Sequence, residues 1–194
     1  MTFTPRGAAK AVAWALLATV ATQIFYMAVV APTDDALLRK ATWTAEMALF
    51  SLVFVASLPL AGRSKAPLVW STVALAGVVN VIQVGMGLAE FGPAREAADE
   101  HVFRTVLNGA FFLYFHGKAM MGLAAVGVGL AAIRQSNTTV RIIGGLSFLS
   151  GAAAVVLNLY SMANGMDIVF AAGAAGTVAT AFFALIVLVG KNEP

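Results

Sequence analysis

Six stretches of about 20 mostly apolar residues run along this chain, separated by short polar segments. A membrane span needs about that length, because the hydrocarbon core is about 30 Å thick and a helix rises about 1.5 Å per residue. The stretches fall at about 8–31, 42–61, 67–90, 105–133, 142–163 and 168–190. Backbone polar groups find no water in hydrocarbon, so each stretch must satisfy its own N–H and C=O groups as a helix. The predicted architecture is all-α: a polytopic integral membrane protein with six transmembrane helices, short loops and a single domain over residues 1–194.

Composition narrows the function classes. Hydrophobic residues make up 60% of the chain and charged residues only 11%, against about 25% charged in soluble domains. Lipid is therefore the expected solvent and first partner, in a cell (inner) membrane. No basic run is present of the kind that holds nucleic acid. The absence of cysteine excludes disulfides, thiolate nucleophiles and iron–sulfur clusters. Val29-Val30-Ala31 fits a signal-peptidase site. The apolar run before it exceeds the about 7–15 residues of a signal peptide, so it reads as the first membrane helix.

Positive charge in the flanks predicts orientation. One side carries Arg6, Lys10, Arg63, Lys65, Arg134, Arg141 and Lys191; the other carries Arg39, Lys40, Arg95 and Arg104. The expected topology is N-in, C-in. Acidic residues follow the same division: Asp34, Asp35, Glu90, Glu96, Asp99, Glu100 and Asp167 fall outside, and Glu193 inside. Pro93 is expected to open a helix through Arg104 that carries the fourth span beyond the membrane, and Pro59 to kink or end the second helix.

Charge inside the spans is rare, which makes it the main functional signal. Lys118 falls near the midplane, too deep for its stem to reach the interface. Glu46 is expected about 6–8 Å from the outer end of its helix, Gln83 about 10 Å and Asn80 about 15 Å. Tyr114 lies one turn above Lys118, and Asn158 and Tyr160 lie near the outer surface. Gln23, Tyr26 and Asn108 also fall in the outer half. The inner half holds hydroxyls such as Ser57, Ser147, Thr177 and Thr180, which can bond back to their own helix carbonyls.

This asymmetry predicts a polar pocket in the outer half, floored by Lys118 and closed below by apolar packing. Its candidate ligand-binding residues are Lys118, Glu46, Asn80, Gln83, Tyr114, His116, Asn158 and Tyr160. His116 points to another side of its helix and reads as a helix–helix hydrogen-bond donor. The only other histidine, His101, lies in a loop, so no metal and no cofactor is expected. A seven-residue Asn-to-Gly spacing recurs at Asn80…Gly87 and Asn158…Gly165, hinting at a repeated hairpin.

Three function classes follow. The first is a small transporter or channel for a small polar or anionic solute, since transporters hold substrate near the midplane. The second is a non-catalytic subunit, whose buried charges face another membrane chain or a second copy of this one. The third is a membrane-embedded enzyme on a lipid or isoprenoid, with Lys118, His116 and Glu46 in acid–base roles. That reading lacks a metal motif, a nucleophile elbow and a histidine box, so an enzyme is the less favoured class and no catalytic residue is assigned.

Overall fold

The computed structural model describes residues 4–190; Lys191 and Glu193 of the charge pattern lie outside them. Six helical segments in it are long and apolar enough to cross a membrane, so the chain is a multi-pass membrane protein in contact with lipid. The first crossing is α1 (Pro5–Phe25), continued by a π-helical turn (Tyr26–Val30) and a short α2 (Ala31–Thr33). The others are α3 (Ala36–Arg63), α4 (Pro67–Ala89), α6 (Glu100–Ile133), α7 (Thr138–Asn164) and α8 (Val169–Val189). A short α5 (Phe91–Glu96) links α4 to α6.

Local chemistry sets the boundaries. Thr4, Asp35, Asp99 and Asn137 cap α1, α3, α6 and α7 by accepting hydrogen bonds from first-turn amides. Good caps on polar flanks explain why α3 and α6 start earlier than the apolar pattern alone implies. At 34 residues α6 is about 51 Å long and extends past the hydrocarbon. Pro32 has no N–H to give the carbonyl of Ala28, and its ring crowds that carbonyl. The helix widens just before it, so that the Ala31 N–H bonds the Tyr26 carbonyl. Pro93 does not open a helix through Arg104: α5 ends at Glu96, Ala97 is extended, and α6 restarts from its Asp99 cap. Pro59 neither ends α3 nor stops its hydrogen bonding short of Arg63.

Five helices close a ring in the order α1, α3, α4, α6, α8, with α7 packed outside against α6 and α8. The tightest seam joins α6 to α7. Gly122 faces Gly151 and Gly129 faces Gly144, and an added Cβ would come within 2.7–2.8 Å of the opposing backbone or of Ala132. Ser147 reaches across the seam to donate to the Ala125 carbonyl at 2.9 Å. Small residues permit this approach, and membrane helices associate through such contact.

The ring interior divides by level. The half nearer the chain termini is packed with Leu16, Val53, Trp70, Val73, Met121 and Phe183, with Trp70 and Phe183 edge to face. The other half holds Glu46, Gln23 and Asn158 among its buried or half-buried polar groups. At its far end Tyr26 stacks on Trp43, and Trp43, Phe91 and Phe103 follow edge to face, joining α5 to the first crossing, α3 and α6. The two Asn-to-Gly spacings are not equivalent. Gly87 lies within α4 under the Trp43 ring, whereas Gly165 ends α7 at a φ of 88°.

Candidate functional site

Lys118 projects from α6 across the ring and is 3% exposed. Its stem lies on Gly176 of α8, where an added Cβ would stand 2.5 Å from Cδ and 2.8 Å from Cβ. Only glycine leaves that channel open. Nζ donates to Gln23 Oε1 of α1 at 2.6 Å and to Thr177 Oγ1 of α8 at 2.9 Å. It also sits 5.4 Å from the centroid of the Tyr114 ring, one turn back on α6, where the negative face of the ring attracts a cation. Tyr114 in turn lies over Gly173, whose absent Cβ leaves room for its hydroxyl.

Thr177 is a junction. Its oxygen accepts from Lys118 and stands 2.9 Å from both Gln23 Oε1 and the Gly173 carbonyl. A hydroxyl has one hydrogen to give, so it serves one of those two acceptors at a time.

Glu46 is 7% exposed and enters from α3. Thr22 Oγ1 lies 3.0 Å from Glu46 Oε1 and 2.9 Å from the Thr19 carbonyl. Two arrangements satisfy that geometry. Thr22 donates to a carboxylate, or it donates to Thr19 and accepts from a protonated carboxyl. Glu46 and Lys118 do not touch: among the described residues the one ion pair joins Arg39 to Asp34 in the α2–α3 connection. The link between these two buried ionisable groups is the dipeptide Thr22-Gln23, one side chain bonded to each.

Other predicted site residues lie elsewhere. Asn80 is buried beside Gly117, and its amide donates to the Ala76 carbonyl at 2.8 Å. Asn158 is fully buried and donates to the carbonyls of Ala154 at 2.8 Å and Ala172 at 3.0 Å. It thus ties α7 to α8 and leaves the Lys118 amine alone. Its Oδ1 and the neighbouring Ser161 Oγ are buried without a partner. Gln83 and His116 are half-buried and outside the Lys118 network, and Tyr160 is 50% exposed.

Lys118 and Tyr114 come together as the sequence pattern suggests. Thr177 is a correction, since it is level with Lys118, about 12 Å into α8, and does more than bond its own helix. Glu46 lies about 15 Å from the start of α3, because α3 begins at Ala36 in the polar flank ahead of the apolar span. Thr22 and Gln23 are the residues that sequence reasoning undervalued. Two adjacent polar side chains just ahead of the Pro32-induced π turn are the signal that marks them.

Comparison of the chain with known protein families, with curated proteins and with solved structures finds no match.

Proposed function

We propose that this protein is a small membrane transporter or channel that carries a small polar or anionic solute past Lys118. The observation behind this reading is the separation of Lys118 and Glu46, two buried ionisable groups linked through Thr22 and Gln23 instead of touching. Burying an ion costs several kcal/mol, about the scale that a direct pair or an apolar replacement removes. A chain that keeps the charges apart keeps each one available. An anion entering from the loop-rich end takes the amine from Gln23 and Thr177, and Glu46 adjusts its proton to the new charge. In this reading the chain lies in a cell (inner) membrane with both termini cytoplasmic.

A second reading has one observation in its favour. The three hydrogens of the Lys118 ammonium already face Gln23, Thr177 and the Tyr114 ring. A closed network of that kind suits a non-catalytic subunit that binds a partner membrane chain or a second copy of itself.

Proteoliposomes separate the two. Flux of small anions (inorganic phosphate, acetate, nitrate) is measured with and without a pH gradient. The transporter reading expects uptake of at least one anion, abolished by Lys118→Met, with its pH dependence altered by Glu46→Gln. Uptake equal in wild type and Lys118→Met refutes it, and a stoichiometric partner retained through purification favours the subunit.

A further inference from the structure

An open groove of about 380 Å³ lies at the terminus-bearing end, between the last turn of α6 and the first turns of α7. Its lining is Ile133, Thr138, Arg141, Ile142 and Gly145. Gly145 forms the notch: a Cβ there would meet nothing within 4 Å, so the space belongs to the surface and not to helix packing. We propose that this groove binds one anionic phospholipid, with an acyl chain along the notch and the phosphate on Arg141.

Two features argue for that occupant. The first is apolar continuity. From the groove toward the bilayer centre, Leu130 and Ile133 on α6 and Ile142, Leu146 and Leu149 on α7 are 38–64% exposed. They form a strip where a chain lies without leaving hydrocarbon. The second is charge at the mouth. Arg141 lines the groove and Arg134 stands on the adjoining turn, both exposed. Among the described residues neither has a carboxylate within ion-pair distance. Apolar wall and exposed guanidinium occur at one level, at the end of the span where headgroups lie. A soluble anion would use the arginine and ignore the notch; a neutral lipid would do the reverse. Basic pockets between membrane helices are general sites for anionic headgroups.

Native mass spectrometry of the full chain in neutral detergent tests this, with palmitoyl-oleoyl phosphatidylglycerol and the matching phosphatidylcholine as probes. One bound phosphatidylglycerol is expected, held at least about fivefold more tightly than phosphatidylcholine, the ratio that one interfacial arginine supplies. Arg141→Gln, an exposed change that leaves the core intact, is expected to bring the two lipids to parity. Gly145→Leu fills the notch and is expected to weaken both, and Arg63→Gln, at the same end but away from the groove, to change neither. Equal retention of the two lipids by the unaltered chain overturns the proposal. So does an equal loss in Arg63→Gln, which would mean diffuse charge, or inorganic phosphate that displaces phosphatidylglycerol, which would mean that the notch holds no chain.

Discussion

Replacing Gln23 by Leu tests the centre of the structure. Leucine roughly fills the same volume but offers no acceptor, so the Lys118 ammonium keeps Thr177 and the Tyr114 ring and loses its shortest contact, 2.6 Å. Two magnitudes compete. Interhelical hydrogen bonds in membranes average about 0.6 kcal/mol, with a maximum near 1.7. A hydrogen bond to a charged group is worth about 1.5–3 kcal/mol. Lys118 is 3% exposed, and for an ammonium that burial puts Gln23→Leu at the upper end, about 2 kcal/mol or some 30-fold in the unfolding equilibrium. Lys118→Met breaks the same contact from the other side. It removes the buried amine but leaves the Gln23 and Thr177 oxygens without its hydrogens, so it carries a cost of its own. The assay is a double-mutant cycle, read by reversible unfolding in mixed micelles. The two substitutions share one contact, so they should not add. In the Lys118→Met background, Gln23→Leu should cost little. An equal cost in both backgrounds would show that Gln23 does not hold the amine, and the link from Lys118 to Glu46 would fail with it.

Other outcomes follow from the same geometry. Gly151→Val places side-chain atoms where a bare Cβ already stands 2.7 Å from the Gly122 carbonyl; thermal unfolding should show at least the about 1–3 kcal/mol of an overpacked contact, while Gly145→Val should be close to neutral. Gly165→Ala puts a Cβ on a residue at φ 88° and ψ −151°, a region open essentially to glycine alone, and should cost about 1–3 kcal/mol, read in the same assay. In the α2–α3 connection, the Arg39 hydrogen bond and charge hold the Asp34 carboxyl below the usual carboxylate range. The folded value is depressed, so the pair contributes at neutral pH and is lost as pH falls through that lowered value. Carboxyl-selective NMR should show Asp34 titrating below the other surface acids and returning to their range in Arg39→Gln.

The class of fold was legible because lipid imposes a simple rule. A segment must be long, apolar and helical to cross, and no tertiary contact changes that. Lys118 and Glu46 were legible for the same reason, since charge inside a span stands out against its neighbours. Boundaries were less so, because caps such as Asp35 and Asp99 extend helices into polar sequence that hydropathy assigns to loops. The partners of the charged residues were hardly legible. Gln23, Lys118 and Thr177 lie 95 and 59 residues apart in sequence, and an interior glutamine or threonine looks the same whether it binds a neighbour or its own helix.

What sequence alone determined is the solvent of this protein and the number of times the chain meets it, because the free energy of moving peptide groups into hydrocarbon is local and large. What only tertiary structure decided is which side chains share the ring interior. That depends on the order of helices around the ring and on Gly173 and Gly176, whose missing side chains let Tyr114 and Lys118 lie flat against α8. Helix order comes from many weak packing contacts summed over the whole bundle, and no window of sequence contains that sum.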